Sequence, residues 1–100
     1  MAKKDQENDQ GTLYIFVMER GFVLIGRPKD YQFGDAVFEY ELSDCAVIRQ
    51  WGTTAGLGQI AFNGPTSQTI LDPEPDGTVI NRRAIYRKIP CGEWSRGWKP

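Results

Sequence analysis

Arg49, Trp51, Thr53 and Thr54 stand close together and are followed by Gly56 and Gly58. Arginine and tryptophan are the residue types that most often anchor binding surfaces. Threonine hydroxyls and the free backbone N–H groups of a helix start can face an anion or a partner's carbonyl. These six residues therefore make a candidate ligand- or partner-binding corner, with a passive anion or nucleotide contact as its chemistry. The bland alternative is a helix cap plus a tight turn. The glycine spacing imitates a nucleotide fingerprint only superficially, because no GxxxxGK[ST] lysine follows and no βαβ unit with a distal acid surrounds it.

Other chemistry is thinly supported. Glu39 and Glu41 lie two apart on one strand and so share a face, which on an alternating strand is a solvated one. Asp72, Glu74 and Asp76 lack the EF-hand ligand pattern, and Pro73 and Pro75 stiffen the backbone between them, so no metal site is expected. The chain has no histidine, which removes Ser–His and Cys–His mechanisms and His-ligated zinc together. Cys45 and Cys91 fit no CxxC site and read as buried free thiols at strand ends, not as a disulfide. No nucleophile is visibly activated, no cofactor is implied, and a non-enzymatic role is expected. Arg82, Arg83, Tyr86, Arg87 and Lys88 have the basic and aromatic character that single-stranded nucleic acid favours. Against that reading, Arg87 and Lys88 are adjacent on a strand and face opposite sides.

The chain of 100 residues carries a net charge of −1, so no global field points to nucleic acid or an anionic membrane. The charge is unevenly placed. Residues 51–80 hold three acids and no Lys or Arg, whereas residues 81–100 hold six Lys or Arg against Glu93. No apolar run approaches the roughly 20 residues of a membrane span. Two cysteines without a pairing pattern suit a reducing cytoplasm.

The elements that position these residues follow from composition and periodicity. Residues 1–11 are polar and read as a disordered tail, leaving 12–100 as a single β-rich domain. Strands are expected near 12–19, 22–27, 36–42, 45–51 and 84–89, with shorter extended pieces at 67–71 and 78–80. The first two strands form a hairpin through Glu19-Arg20-Gly21, with Gly21 at positive φ. The nearly continuous apolar run of the first strand predicts burial on both faces or a central place in the sheet. Ser43-Asp44 reads as a two-residue turn closing a second hairpin. Residues 73–77 read as a rigid surface turn. Leu57, Ile60 and Ala61 share one face of a helix near 55–63, with Thr53 or Thr54 as its N-cap. Ile15, Val17, Val23, Ile25, Val47, Leu57, Ile60, Ile85 and Ile89 are the expected core. Trp94 and Trp98 either cover an open end of the fold or form a sticky partner-binding face. The expected fold is mainly β: a small antiparallel barrel or curled sheet of SH3-like size with one short helix, or else an α+β sheet.

From Tyr14 onward the chain resembles a family of small uncharacterised bacteriophage and prophage proteins. The pattern is the hairpin Tyr14–Pro28, then Val47-Ile48-Arg49-Gln50-Trp51-Gly52-Thr53-Thr54 and Gly56-Leu57-Gly58-Gln59-Ile60-Ala61. Asn63-Gly64-Pro65-Thr66, Thr69–Pro73 and Ile85…Ile89-Pro90-Cys91 complete it. The resemblance implies a phage accessory protein in the cytoplasm of an infected bacterium, and phage genes of this size associate with inhibition of a host defence or other host protein. Stoichiometric binding is expected from the lack of histidine and of an activated nucleophile. The residues leave two further classes open: sequestration of a small anionic or nucleotide ligand at the Arg49–Thr54 corner, and a nucleic-acid-binding module. Self-association through Trp94 and Trp98 is also open.

Overall fold

A computed structural model describes residues 11–29 and 39–100. The expected tail over residues 1–10, the connection at 31–34 and the opening of the strand at 36–38 lie outside the described residues. The order of elements is β1 (Tyr14–Met18), β2 (Val23–Pro28), β3 (Glu39–Gln50), α1 (Leu57–Asn63), β4 (Ile70–Glu74), β5 (Thr78–Asn81) and β6 (Ile85–Pro90). All strands pair antiparallel in one sheet, in the order β4–β3–β2–β1–β6, with β5 also on β3. The expected mainly-β fold is thus found as a curled sheet that does not close, with one short helix. Among the described residues no helix is long and apolar enough to cross a membrane.

The β1–β2 hairpin forms in the expected place, with Ile15 opposite Ile25 and Val17 opposite Val23. A 3-10 turn at Glu19–Gly21 joins the strands, and Gly21 takes φ +83° beside Arg20 at φ +68°. The second expected hairpin does not exist. Ser43 and Asp44 lie inside the twelve-residue strand β3, so 36–42 and 45–51 belong to one strand as far as the described residues reach. Asp44 adopts φ +49°. It lies where the register of β2 on β3 shifts, between the pairs Ile25–Ala46 and Arg27–Ser43. A short polar residue that tolerates left-handed backbone here makes a bulge, which bends the strand where a turn would have reversed it.

β4 and β5 run end to end along the outer edge of β3. β4 pairs with its second half (Ala46 opposite Pro73) and β5 with its first half (Tyr40 opposite Ile80). Pro73, expected to open a turn, sits instead in this edge strand, where a missing N–H is tolerated. The turn is confined to residues 75–77, and the Gly77 N–H donates to the Leu42 carbonyl at 2.9 Å.

Both sheet faces are buried, as the unbroken apolar composition of β1 predicts. One face collects Leu13, Ile15, Val23, Ile25, Ala46 and Ile48 beneath Leu57, Ile60 and Ala61 of α1. The other collects Phe16, Met18, Leu24, Leu42, Cys45 and Ile80. Ile80 of β5 and Ile85 of β6 join that second cluster, and Lys88 of β6 reaches the Tyr40 hydroxyl of β3 at 3.5 Å on the same side, which marks it as the concave face. Of the expected core, Ile15, Val23, Ile25, Leu57 and Ile60 are buried, while Val17, Val47, Ile85 and Ile89 are only partly so. Phe16, Leu24 and Leu42 are also buried, on the second face, and are absent from the expected core.

Candidate functional site

The Arg49–Gly58 corner is assembled, and its polar groups are turned on one another. Arg49 occupies the register shift between the pairs Ile48–Leu71 and Gln50–Ile70. From there its Nε donates to Asp72 Oδ2 at 2.8 Å and its Nη2 to Asp72 Oδ1 at 3.2 Å. That hydrogen bond holds the Asp72 carboxyl below its ordinary value. Trp51 follows β3 with its side chain substantially exposed, and its carbonyl accepts from Thr69 Oγ1. The Gly52 carbonyl accepts from Thr66 Oγ1 at 2.7 Å. Gly52 sits at φ +68° so close to the backbone of Gln68 that a Cβ would collide with it.

Neither threonine caps the helix. The N-cap is Gly56 at φ +83°, a conformation that favours glycine, and Thr53 Oγ1 donates back to the Gly56 carbonyl at 2.9 Å. Gln59 reaches back from the first turn, and its Oε1 accepts from the N–H groups of Thr54 and Ala55 and from Thr54 Oγ1. The donors that would face an anion are thus held by a side chain of the same corner. Gly58 lies within α1, with open space where a Cβ would stand.

Trp94 and Trp98 turn inward. Their rings meet edge to face at 5.6 Å and pack against the cluster under α1. Trp94 Nε1 donates to the Ala61 carbonyl at 2.8 Å, and the Gly92 N–H donates to the same oxygen. The two indoles thereby close the α1 end of the core, the first of the two roles open to them from the sequence.

Sequence reasoning missed Arg27. It is 3% exposed, at the end of β2. Its Nε donates to Asp44 Oδ2 at 2.8 Å, Nη1 to the Gly11 carbonyl, and Nη2 to the carbonyls of Ser95 and Trp98. One guanidinium therefore joins the β3 bulge, the approach to β1 and the C-terminal tail. Burial pushes both thiols up to about 12, with Glu74 and Asp76 adding to the shift at Cys45 and Arg27 opposing it at Cys91. Both cysteines are free, and Cys45 lies mid-strand in β3, where its inward-facing position buries it, and not at a strand end.

The open surface chemistry gathers elsewhere, where the curl brings β3 and β6 together. A cleft of about 370 Å³ is lined by Tyr14, Lys29, Tyr40 and Lys88 among others. A shallow groove of about 400 Å³ continues from Tyr40 and Lys88 past Arg82, Tyr86 and Arg87. Lys88 Nζ lies 4.9 Å from the Tyr14 ring centroid and 5.3 Å from that of Tyr40, an ammonium held between two aromatic faces. Tyr86 stands 71% exposed. Among the described residues that line either depression there are four cationic side chains and no carboxylate. Strand alternation turns Glu39 and Glu41 to the face opposite Tyr40, yet the Glu41 carboxylate still reaches Lys29 at 3.5 Å and lies at the margin of the cleft. The sequence names Arg82, Tyr86, Arg87 and Lys88 but carries no local signal that Tyr14, Lys29 and Tyr40 would join them.

Comparison with family models, with curated proteins and with solved structures found no match to this chain, so its function has to be read from the surface it presents.

Proposed function

We propose that the protein acts by stoichiometric binding and that its binding surface is the basic, tyrosine-lined seam between β3 and β6, with an anionic ligand as its occupant. The observation that carries this reading is the joint lining of two contiguous depressions by four cationic side chains and three tyrosines, without a carboxylate among the described residues. Cations that share a concave surface raise the local concentration of anions and hold them by charge-assisted hydrogen bonds. The Arg49–Thr54 corner is a weaker candidate, since Arg49 is paired with Asp72 and the loop donors with Gln59. The setting in an infected bacterium, as a phage accessory protein directed at a host process, rests on the resemblance of the Trp51–Gly58 block and its flanks.

Calorimetric titration with inorganic tripolyphosphate and with ATP tests the reading. Saturation at one ligand per chain is expected, without consumption of the ligand. The double variant Lys29→Glu, Lys88→Glu should weaken binding by at least about tenfold, the direction that charge reversal imposes on an electrostatic site. Arg49→Ala with Trp51→Ala should leave it unchanged in a chain that still melts cooperatively. Loss of binding in that second variant alone would return the site to the corner, and turnover at sub-stoichiometric protein would overturn the binding class. Capture of a host protein is favoured by one separate observation, the 81% exposure of Phe62 on the outer side of α1. Phe62→Ser should then abolish capture from a host lysate without lowering the melting temperature.

A further inference from the structure

We infer that the seam takes single-stranded nucleic acid, with a base stacked on Tyr86 and the backbone phosphates running past Lys88 toward Lys29; this rests on the anionic-ligand reading above. Shape separates a strand from a mononucleotide. A small ligand is held in a pocket that encloses most of its surface. Here the groove along β6 is shallow and runs on into the cleft between Tyr14 and Tyr40. A ligand matching both must be elongated, with negative charge repeated along its length.

The side chains supply the two contacts that sequence-tolerant strand binding requires: a cationic track and exposed aromatic faces. Tyr86 owes its position to an irregularity. β6 pairs with β1 at Val17–Arg87 and Met18–Ile85, so Tyr86 is the extra residue of a bulge. That shift turns Ile85 into the concave cluster and leaves the Tyr86 ring outside, 71% exposed beside the cations. An exposed aromatic residue inside a basic surface has little packing value and a ready use as a stacking platform. The alternation of Arg87 and Lys88, which weighed against nucleic acid in the sequence, matters less once Lys29 and Arg82 contribute from other elements to the same seam.

Fluorescence polarisation with a labelled oligothymidylate of about twelve nucleotides, within the usual footprint of a small β-domain, provides the test. The second probe is an abasic strand of the same length and charge. Oligothymidylate should bind about tenfold more tightly than the abasic strand, the order of one stacked base. Tyr86→Ala should remove that difference while leaving the melting temperature and the abasic affinity unchanged. The logarithm of affinity should fall against the logarithm of salt with a slope of roughly 2 to 3, as three or four phosphate contacts give on single strands. Lys88→Ala should reduce that slope by about 0.7. Equal affinity for both strands, or an unaltered preference in Tyr86→Ala, overturns the inference and leaves a simple anion site standing. Failure of both strands and of tripolyphosphate to bind at low salt overturns the anionic-ligand reading itself.

Discussion

Arg27 shows how one residue can matter more to this fold than its place in the sequence suggests. A buried guanidinium is tolerable only when its donors are met. Here Asp44 supplies the counter-charge and accepts from Nε, one backbone carbonyl accepts from Nη1 and two from Nη2. Arg27→Met keeps much of the volume but leaves Asp44, among the described residues, with the cation of Lys99, 3.6 Å away and largely in solvent. Breaking a buried pair from one side typically costs about 3 to 5 kcal/mol, and a loss of that order is expected in denaturant unfolding. The same variant should loosen the tail beside Cys91, whose thiol burial now holds up near 12 and therefore unreactive at neutral pH. Faster reaction of Cys91 with a thiol reagent, before global unfolding, is the accompanying readout. None of this was legible locally. Arg27 reads as the last residue of a strand near 22–27, and two of its three carbonyl partners lie 68 and 71 positions away.

At the scale of elements, glycines that look alike in the Trp51–Gly58 block have opposite values. Gly58 is a helical residue with open space where a Cβ would stand, so Gly58→Ala should stabilise by about 0.5 to 1 kcal/mol. Gly52, at positive φ against the backbone of Gln68, should lose at least about 2 kcal/mol as Gly52→Ala, from backbone strain and displacement of the 66–69 loop. Chemical denaturation of the two variants gives the signs directly. The elements themselves were readable where the pattern is local: the hairpin through Glu19–Gly21, the helix bearing Leu57, Ile60 and Ala61, and the final strand. Ser43-Asp44 misled because the residue types that make turns also make bulges, and only the pairing of β2 on β3 decides between the two. The corner at Arg49 was correctly seen as a structured strand–turn–helix unit. Its hydrogen-bond closure was hidden, since Asp72, Thr66 and Thr69 answer it from β4 and the loop before it.

The whole molecule is a sheet whose two faces are sealed by different means. Curling seals the concave face, while α1 and the Trp94–Trp98 tail cover the convex one. The seam belongs to this scale alone, because Tyr14, Lys29, Tyr40 and Lys88 come from four separate stretches of chain and meet only when the sheet curls. A chain ending at Pro90 would lose the Trp94 and Trp98 cover of the cluster beneath α1 and leave Arg27 Nη2 without its two carbonyl acceptors. It is expected to show no cooperative thermal transition, which calorimetry on that truncation checks. The placement of the Arg27 acceptors also bears on how the protein is made. Strand β2 is synthesised early, yet two of the carbonyls that satisfy its buried cation belong to Ser95 and Trp98. While a ribosome still holds those two residues, the nascent chain carries an incomplete interior. The core beneath α1 is completed only once they have emerged, and until then chaperones have an apolar surface to bind.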